Sequence, residues 1–453
     1  MSNGDTSNNT SNGSPHHHHH HDAPIMKTAD DAILAKVATV EAGYYQDPYV
    51  TAMSRHASGI TTTPTATNRR RQIQPIIKRG THARVCCMDR AITSFLEFHH
   101  NNTNSKAQVL VLGCGKDTSY FRHVLHNKTE QSESTTTTIG WYEVDHPSVI
   151  QAKAAIVREA PHVFGATVKK SVHGFSISPT GKKSKTATTN GSSSSRESKK
   201  QKQTLAPIID EGDEEEDEEE GDVVMPMETE QFDAFEESTL ESTTTDKSDT
   251  STCHWIQHDL RESPPALVEK LTHTSHFDPS LPTLVLLECV LMYLPDDESR
   301  QLLQCLTQLL PHICVCAYEP ILGSDNFGTV MEQHLTRAGV TSHDSGLHVV
   351  RTLDAQLDKL LACGFTRAAG CDMAAAYDSV LTPVQRRDAT KAEFLDELEE
   401  WQLIMHHYCL IVAAAANNDE ESGDDQNFGA LLCSIGESSA MGFDPTKTVQ
   451  KSK

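Results

Sequence analysis

The segment VLVLGCGKDTSYFRH, from Val109 to His123, joins an apolar run to a helix-like stretch through a Gly113-Cys114-Gly115 turn. A buried strand that ends in such a turn is typical of α/β proteins, because glycine lets the backbone turn tightly and approach a ligand closely. A dinucleotide fingerprint would have a third glycine at position 118, where this chain has Thr118. The turn therefore predicts a ligand site but disfavours a pyrophosphate-bearing cofactor.

Strand-like and helix-like patterns alternate along two stretches of the chain, roughly 28–168 and 252–416. Apolar strand-like runs occur at Val109–Leu112, Ile139–Val144, His254–His258, Leu284–Glu288 and Ile313–Tyr318. Apolar residues at helical spacing follow Thr28 and recur in DDESRQLLQCLTQLL, from Asp296. This alternation predicts one α/β domain with a central, mostly parallel sheet flanked by helices. We expect the last strands, around Phe365 and Tyr408, to close an edge of the sheet.

Low-complexity segments divide the chain. Residues 1–27 are polar, contain the histidine run 16–21 and are predicted to be a disordered tail. Residues 28–416 form the predicted domain, which a disordered acidic insertion at 169–251 interrupts. The insertion carries the acidic block DEGDEEEDEEEGD from Asp210, and its basic half is consistent with either a nuclear-import signal or a charge-balanced linker. Residues 417–453 are predicted to be a C-terminal tail.

Charge and composition exclude several classes of protein. A formal charge of -24 disfavours nucleic-acid binding, because no basic face is segregated in the segments predicted to fold. The 12 cysteines form no CxxC pair, so we predict reduced thiols and no metal site. The longest apolar run, LVLLECVLMYL from Leu284, is short and contains Glu288, which disfavours a membrane span. We expect a soluble monomer located in the cytoplasm, and the basic half of the insertion allows a nuclear location as well.

Acidic residues follow or end the predicted strands. Asp145 follows the second strand, Asp259 follows the third, and Glu288 ends the fourth. Taken alone, each of these carboxylates is explained equally well as an ordinary strand-end or helix-capping residue and as a ligand-binding residue. Together they would converge beside the glycine turn, because ligands of such sheets bind beyond the carboxyl ends of the strands. Carboxylates there suit the ribose, adenine and ammonium donors of S-adenosylmethionine.

The chain resembles the leucine carboxyl methyltransferases, which methyl-esterify the C-terminal leucine of the protein phosphatase 2A catalytic subunit. Seven segments in order carry the resemblance: GYYQDPYV from Gly43, RGTHARV from Arg79, VLGCGKDTSYFR from Val111, YEVDHP from Tyr142, LPTLVLLECVLMYL from Leu281, YEPILGSDNFGTVM from Tyr318 and EFLDELEEWQLIMHHYCL from Glu393. The chain departs from the family in its long insertion and in Thr81 and His82, where aromatic residues are frequent. The resemblance implies an S-adenosylmethionine-dependent methyltransferase fold, of the Rossmann-like kind.

The resemblance also implies roles for individual residues. Lys36 and Arg84 would hold the methionyl carboxylate of the cofactor, and Asp145 would take the ribose hydroxyls. Asp259 and Leu260 would frame the adenine. The remaining cofactor-binding residues are the two glycines of the turn and the acid that ends the fourth strand, Gly113, Gly115 and Glu288.

Arg84 and Tyr293 are the catalytic candidates, because both are expected beside the transferring methyl group. The phosphatase catalytic subunit is the expected partner, with neither nucleic acid nor membrane. Two alternatives remain open: a tRNA wybutosine-synthesising carboxyl methyltransferase and a small-molecule carboxyl methyltransferase. A non-catalytic scaffold is disfavoured by the intact glycines and carboxylates. Structural roles are predicted for the other candidates, which are Cys314, Cys316, Trp401, His406 and His407.

Overall fold

The structure is a computed structural model that describes residues 19–57, 73–101, 106–125, 139–180, 253–274 and 276–415, without the side chains of 19–26 and 101. All of these residues belong to one of the two units into which the chain divides, the one formed by Met1–Thr180 and Asp249–Lys453. Most of the predicted N-terminal tail, most of the acidic insertion and the tail 417–453 lie outside the described residues.

The described elements alternate as the sequence predicts. The helices are α1 (His19–Glu41), α2 (Val50–Met53), α3 (Pro75–Asn101), α4 (Pro147–Glu159), α5 (Pro161–Phe164), α6 (Pro264–Thr272), α7 (Asp296–Leu309), α8 (Asn326–Arg337), α9 (Gly346–Val349), α10 (Leu353–Ala362), α11 (Met373–Ser379), α12 (Pro383–Ala392) and α13 (Leu398–His406). The strands are β1 (Ala107–Leu112), β2 (Ile139–Asp145), β3 (Ala166–Ser171), β4 (Gly174–Pro179), β5 (Cys253–Gln257), β6 (Thr283–Glu288), β7 (Ile313–Pro320), β8 (Arg367–Asp372) and β9 (Tyr408–Ala415). One π-helical turn spans Phe121–Leu125.

The strands form one nine-stranded sheet in the order β3-β4-β5-β2-β1-β6-β7-β9-β8. The five central strands, β5 to β7 in this order, pair in parallel, which confirms the predicted α/β class with a mostly parallel sheet. Every residue of β1 is buried, because helices cover both faces of the sheet. The strand order reverses at β1, so ligands are expected beyond the carboxyl ends of β1 and its neighbours.

The core lies on both faces of the sheet, and β1 shows how alternation builds it. Val109 and Val111 point into one apolar cluster, and Leu110 and Leu112 point into the other. The first cluster includes residues of α3 and α4, and the second includes residues of α6, α7 and α10. Among the described residues, no helix combines the length and the apolar character needed to cross a membrane.

The insertion begins later than the sequence analysis predicts. Residues 166–179, which overlap the predicted start at Lys169, form the antiparallel hairpin β3–β4, and β4 pairs with β5. The Ser- and Lys-rich composition conceals this hairpin, because only one of its faces is apolar. Phe175 and Ile177 lie on that face and are buried, whereas Val172 at the turn is 89% exposed.

The start of α1 and the last strands of the sheet can also be compared with the sequence analysis. Helix α1 begins at His19 rather than at the predicted Thr28, so it enters the segment predicted to be a tail. Once the packed part of a helix exists, adding residues costs only propagation, which polarity alone does not prevent. At the opposite edge, β9 pairs antiparallel with both β7 and β8, so the predicted closure by the last strands is confirmed.

Candidate functional site

A cavity of about 410 Å³ opens at the carboxyl ends of the central strands. Every residue that the sequence analysis assigns to the site lines it: Lys36, Arg84, Gly113, Gly115, Asp145, Asp259, Leu260, Glu288 and Tyr293. These side chains come from α1, α3, the turn after β1 and the ends of β2, β5 and β6. The parallel topology therefore brings together residues that are far apart in the chain.

The glycine turn forms the floor of this cavity. Gly113 and Gly115 have φ values of +64° and +51°, which only glycine adopts without strain. A Cβ atom on Gly113 would lie 2.8 Å from Cγ2 of Val290, and one on Gly115 would lie 3.6 Å from Cβ of Ala29. Glycine is therefore required in this turn for two reasons: the backbone is left-handed there, and the loop that follows β6 packs against Gly113.

Asp145 is tied to the turn by its backbone contacts. Its Oδ2 accepts a hydrogen bond from the N–H of Gly115 at 2.6 Å, and its Oδ1 accepts one from the N–H of His146 at 2.7 Å. Burial raises the pKa of Asp145, and the two N–H groups hold that rise back. Each carboxylate oxygen keeps a lone pair for a hydroxyl donor in the cavity.

Two cations and two carboxylates form a charged cluster on one wall. The Nζ of Lys36 lies 3.1 Å from Oδ1 of Asp117 and 3.6 Å from Oε1 of Glu288, and the Nε of Arg84 lies 2.8 Å from the same Glu288 oxygen. Burial disfavours the charge on Lys36, but Glu288 and Asp117 outweigh it and raise the pKa of the ammonium. The same balance of burial against Glu288 raises the pKa of Arg84. Both side chains are thus held as cations at the cavity wall.

Asp117 is a site residue that the sequence analysis missed. Burial favours its neutral form, but the cations Lys36, Lys153 and Arg122 together outweigh burial and hold the pKa of this carboxyl well below its usual range. Its Oδ2 also accepts a hydrogen bond from the N–H of Ser119 at 3.0 Å. The sequence signal was its position just past the glycine turn, in GKDTS, where an Asp is also a common helix cap.

A second missed residue, Arg261, lies at the other end of the cavity. Its Nη2 is 2.6 Å from Oδ2 of Asp259 and its Nε is 3.0 Å from Oδ1. Burial raises the pKa of Asp259, but these hydrogen bonds from Arg261 outweigh it, so the net shift is downward. The apolar side chain of Leu260 lines the same end, together with Val149. This end therefore offers an ionised carboxylate beside an apolar surface.

Helix α1 covers the cavity from above. Thr28, Ala29 and Ile33 line it, and the neighbouring Asp30 pairs with Lys116 of the glycine turn at 2.6 Å. The hydroxyl of Tyr293 shares a hydrogen bond with the side chain of Thr28, and burial raises the pKa of this phenol. The sequence predicted this helix but not its position over the glycine turn, because that position depends on contacts between segments that are far apart in the chain.

Arg84 also stacks against an aromatic pair behind the cluster. Its guanidinium carbon lies 5.5 Å from the centre of the Tyr318 ring, which in turn stacks on Tyr408 at 5.2 Å. Tyr408 lines the cavity. A planar guanidinium held between a carboxylate and a ring face keeps one orientation, which a flexible lysine would not.

Four of the five other candidates from the sequence are buried, as their predicted packing roles require, whereas His406 is exposed. Cys314 and Cys316 are buried on β7, and Trp401 is buried on α13. His407 follows α13 and its ring contacts the carbonyl oxygen of Leu403 at 2.8 Å and a carboxylate oxygen of Asp325 at 3.0 Å. His406, 54% exposed at its side chain, pairs with Asp372. None of these five residues lines the cavity.

The chain is similar in sequence to known methyltransferases. The sequence profile of the leucine carboxyl methyltransferase family matches residues 24–173 and 217–307. Leucine carboxyl methyltransferase 1 of Aspergillus fumigatus is 26% identical over 84% of this chain and 80% of that protein. The tRNA wybutosine-synthesizing protein 4 of Rattus norvegicus is 24% identical over 84% of this chain but only 42% of its own length.

One solved structure with a similar arrangement is that of a DUF574-family protein from Streptomyces avermitilis. It is 10% identical, with a TM-score of 0.38, over 75% of this chain and 85% of that one.

Proposed function

The chain belongs to the leucine carboxyl methyltransferase family, and from this premise we propose that it uses S-adenosylmethionine to methyl-esterify the C-terminal leucine of the protein phosphatase 2A catalytic subunit. The family establishes methyl transfer, whereas the donor and the acceptor are our proposal. The observation that carries it is a cavity in which two cations, Lys36 and Arg84, face carboxylates at the ends of three parallel strands. That arrangement complements a donor bearing a carboxylate, an ammonium and hydroxyl groups.

The cavity residues fit each part of this methyl donor. Lys36 and Arg84 would hold its carboxylate, Glu288 its ammonium and Asp145 its ribose hydroxyls. Asp259 and the apolar side chain of Leu260 would hold the adenine. The cavity, at about 410 Å³, is within the range of small-molecule sites. When bound, S-adenosylmethionine supplies an electrophilic methyl group on a sulfonium.

The acceptor requires no general base. The α-carboxyl of a C-terminal residue has an ordinary pKa of about 3.3 to 3.7, so it is ionised near neutrality and is already a nucleophile. Tyr293 remains protonated, because burial raises the pKa of its phenol, and so it can donate a hydrogen bond but not accept a proton. The work of the protein is to orient the carboxylate and to remove its water, an effect worth about 7 to 11 kcal/mol in favourable model reactions.

Arg84 and Tyr293 are the residues that we propose for this orienting role. Both line the cavity beside Glu288. The Arg84 guanidinium has five N–H donors, which is more than its contacts with Glu288, through Nε, and with the side chain of Cys289 require, so it can also donate to a carboxylate in the cavity. The reaction converts a carboxylate into a neutral ester and so deletes one negative charge from the partner's tail. This change suits a switch in the assembly of phosphatase holoenzymes, carried out by a monomeric enzyme of the cytoplasm.

A tRNA wybutosine-synthesising carboxyl methyltransferase is the second candidate, favoured by the 24% identity to the rat protein of that name. A small-molecule carboxyl methyltransferase is the third, because the same cavity chemistry serves any carboxylate acceptor. Neither is our choice, since the similarity extends over 80% of the Aspergillus leucine carboxyl methyltransferase 1 but over only 42% of the rat wybutosine-synthesizing protein. A net charge of -24 also opposes tRNA binding.

Methyl transfer to defined acceptors tests the proposal. The full chain is incubated with S-adenosylmethionine labelled in its methyl group and with one of three acceptors: the phosphatase catalytic subunit, the same subunit lacking its last leucine, or tRNA. We expect base-labile label on the intact subunit alone, because a carboxyl methyl ester is hydrolysed by alkali. Label on tRNA would select the second candidate, and donor binding without label on any of the three acceptors would reject the phosphatase proposal.

A further inference from the structure

The loop after β6, residues 289–294, forms one wall of the cavity and is held from behind by a carboxylate that lies outside the cavity. Cys289, Val290, Met292, Tyr293 and Leu294 of this loop line the cavity. Glu319 of β7 is 0% exposed and does not line it. The loop is therefore shaped by a residue that has no direct access to a bound ligand.

Glu319 binds three successive backbone N–H groups of the loop. Its Oε1 accepts hydrogen bonds from Val290 at 2.9 Å and from Leu291 at 2.9 Å, and its Oε2 accepts one from Met292 at 3.2 Å. Buried N–H groups without an acceptor are costly, so this carboxylate is what allows the three to point to the same side. No sequence motif for such a contact exists, since the donors are backbone atoms of another segment.

The conformation of the loop is unusual and needs this support. Cys289 has a φ of +55°, a left-handed value that a residue with a Cβ seldom adopts. Its N–H donates to the carbonyl of Tyr318 at 2.8 Å, next to Glu319 in the chain. Val290, the following residue, is the one that packs onto Gly113 of the turn. The end of β7 thus positions both the loop and its contact with the floor of the cavity.

We propose that Glu319 is a positioning residue for the methyl-donor site, and that its ionised carboxylate holds the loop 289–294 in the conformation that binds the donor. This inference rests on the proposed function for the identity of the ligand. Protonation at Oε2 would leave the N–H of Met292 without its acceptor, while Oε1 keeps its two. The wall would then loosen next to Tyr293, and the affinity for the donor would fall.

Glu319 changes its charge near neutrality, whereas the thiol and phenol groups that face it stay neutral there. Burial raises the pKa of Glu319 to about 7, with the three N–H groups opposing the rise. Cys289 and Tyr293 of the loop and Cys409 of β9 also face it, and burial raises the pKa of each above its ordinary value, so all three stay neutral. The ammonium of Lys359, from α10, also acts on Glu319, but its ion-pair partner is Asp296, at 2.9 Å. Donor affinity should therefore fall as the pH falls through about 7.

The experiment measures the affinity for S-adenosylhomocysteine by calorimetry from pH 6 to pH 8.5, in the wild type and in Glu319→Gln. The glutamine has the same shape, but its NH₂ group faces the Met292 N–H or one of the other two donors. We expect about tenfold weaker binding of S-adenosylhomocysteine at pH 8.5, because one buried hydrogen bond is lost and one backbone N–H group of the loop is left without an acceptor. We also expect a flatter pH profile than that of the wild type. Phe175→Ala is the control, because it removes core volume at β4, in a different apolar cluster from Val290, Leu291 and Leu294, and it should keep the wild-type profile.

Hydrogen exchange of the peptide that contains 289–294 keeps the inference testable if Glu319→Gln does not fold. In the wild type, protection of this peptide, corrected for the intrinsic exchange rate, should decrease as the pH falls through about 7. Unchanged protection, or the same pH profile of affinity in Glu319→Gln as in the wild type, would overturn the inference. A wild type that binds no S-adenosylhomocysteine, yet loses protection as expected, would reject the proposed function and not the role of Glu319 in holding the loop.

Discussion

Replacing Gly113 with alanine should separate the two reasons for glycine in the turn. The alanine would have to adopt a φ of +64°, and its Cβ would lie 2.8 Å from Cγ2 of Val290. A left-handed conformation costs a residue with a Cβ about 1–2 kcal/mol. Extra volume in a well-packed site costs about 1–3 kcal/mol more. We therefore expect Gly113→Ala to lower the free energy of unfolding by about 2–5 kcal/mol.

Gly165 offers a matched control within the same chain. Its φ is +59°, and an added Cβ would meet nothing within 4 Å. Gly165→Ala should consequently cost only the conformational part, about 1–2 kcal/mol. The difference between the two variants is then the cost of the contact with Val290. Urea-induced unfolding of both variants, followed by circular dichroism, gives this difference directly.

A double variant tests whether Val290 is the obstacle. Val290→Ala alone should destabilise the protein, because it removes buried apolar volume. In the Gly113→Ala background the same change relieves the clash, so the two effects should not add and the coupling should favour the double variant. If Gly113→Ala proved no more destabilising than Gly165→Ala, or if the double variant were simply additive, the packing argument for the turn would be wrong.

The remaining predictions address the charged cluster, the chemistry and the edge of the sheet. Arg84→Ala should weaken donor binding by about 10- to 100-fold, because it removes a charged hydrogen-bond donor from the cavity, whereas Tyr293→Phe should lower methyl transfer more than affinity. Full turnover by both variants would remove these residues from the chemistry. Asp117 has a lowered folded-state pKa, so it stabilises the protein above the unfolded-state pKa of about 3.9, and this contribution is lost as the pH falls from there toward the folded value. Asp117→Asn should therefore be less stable near neutrality and should show a shallower loss of stability below about pH 4, measured by urea unfolding at several pH values. Phe175→Ala should cost about 3 kcal/mol in unfolding free energy while leaving donor affinity unchanged, because β4 lies next to the edge strand β3 and contributes no residue to the cavity. Weaker donor binding in Phe175→Ala would contradict this separation of edge and site.

The elements with a strong local pattern could be predicted from the sequence. The strand Ala107–Leu112 contains the unbroken apolar run Val109–Leu112, and α7 has leucines at helical spacing behind three acidic residues, so hydrophobic periodicity and charge near the helix start were sufficient. The hairpin β3–β4 was missed because its stability comes from pairing with β5, whose sequence lies beyond a long insertion. The same reason explains the late boundary of that insertion. Local composition at 166–179 resembles a linker, and tertiary pairing overrides it.

The candidate site divides in the same way. Gly113, Asp145, Asp259 and Glu288 could be found because each occupies a recognisable place at the end of a strand. Lys36 and Arg84 required the family resemblance, since a lysine or an arginine on an amphipathic helix is usually a solvated side chain. Their ion pairs with Glu288 in the structure explain why these two cations lie at the cavity.

The order of strands and turns along the chain was enough to predict the fold class, the edge of the sheet where the cavity lies and the acids that converge there. These follow from short-range patterns, because periodicity and turn chemistry act within a few residues of each other. The partners of those acids, the cover formed by α1 and the anchoring of 289–294 by Glu319 became visible only in three dimensions. Each of these contacts joins segments from different parts of the chain, and packing in three dimensions, rather than any local preference, determines which of them meet.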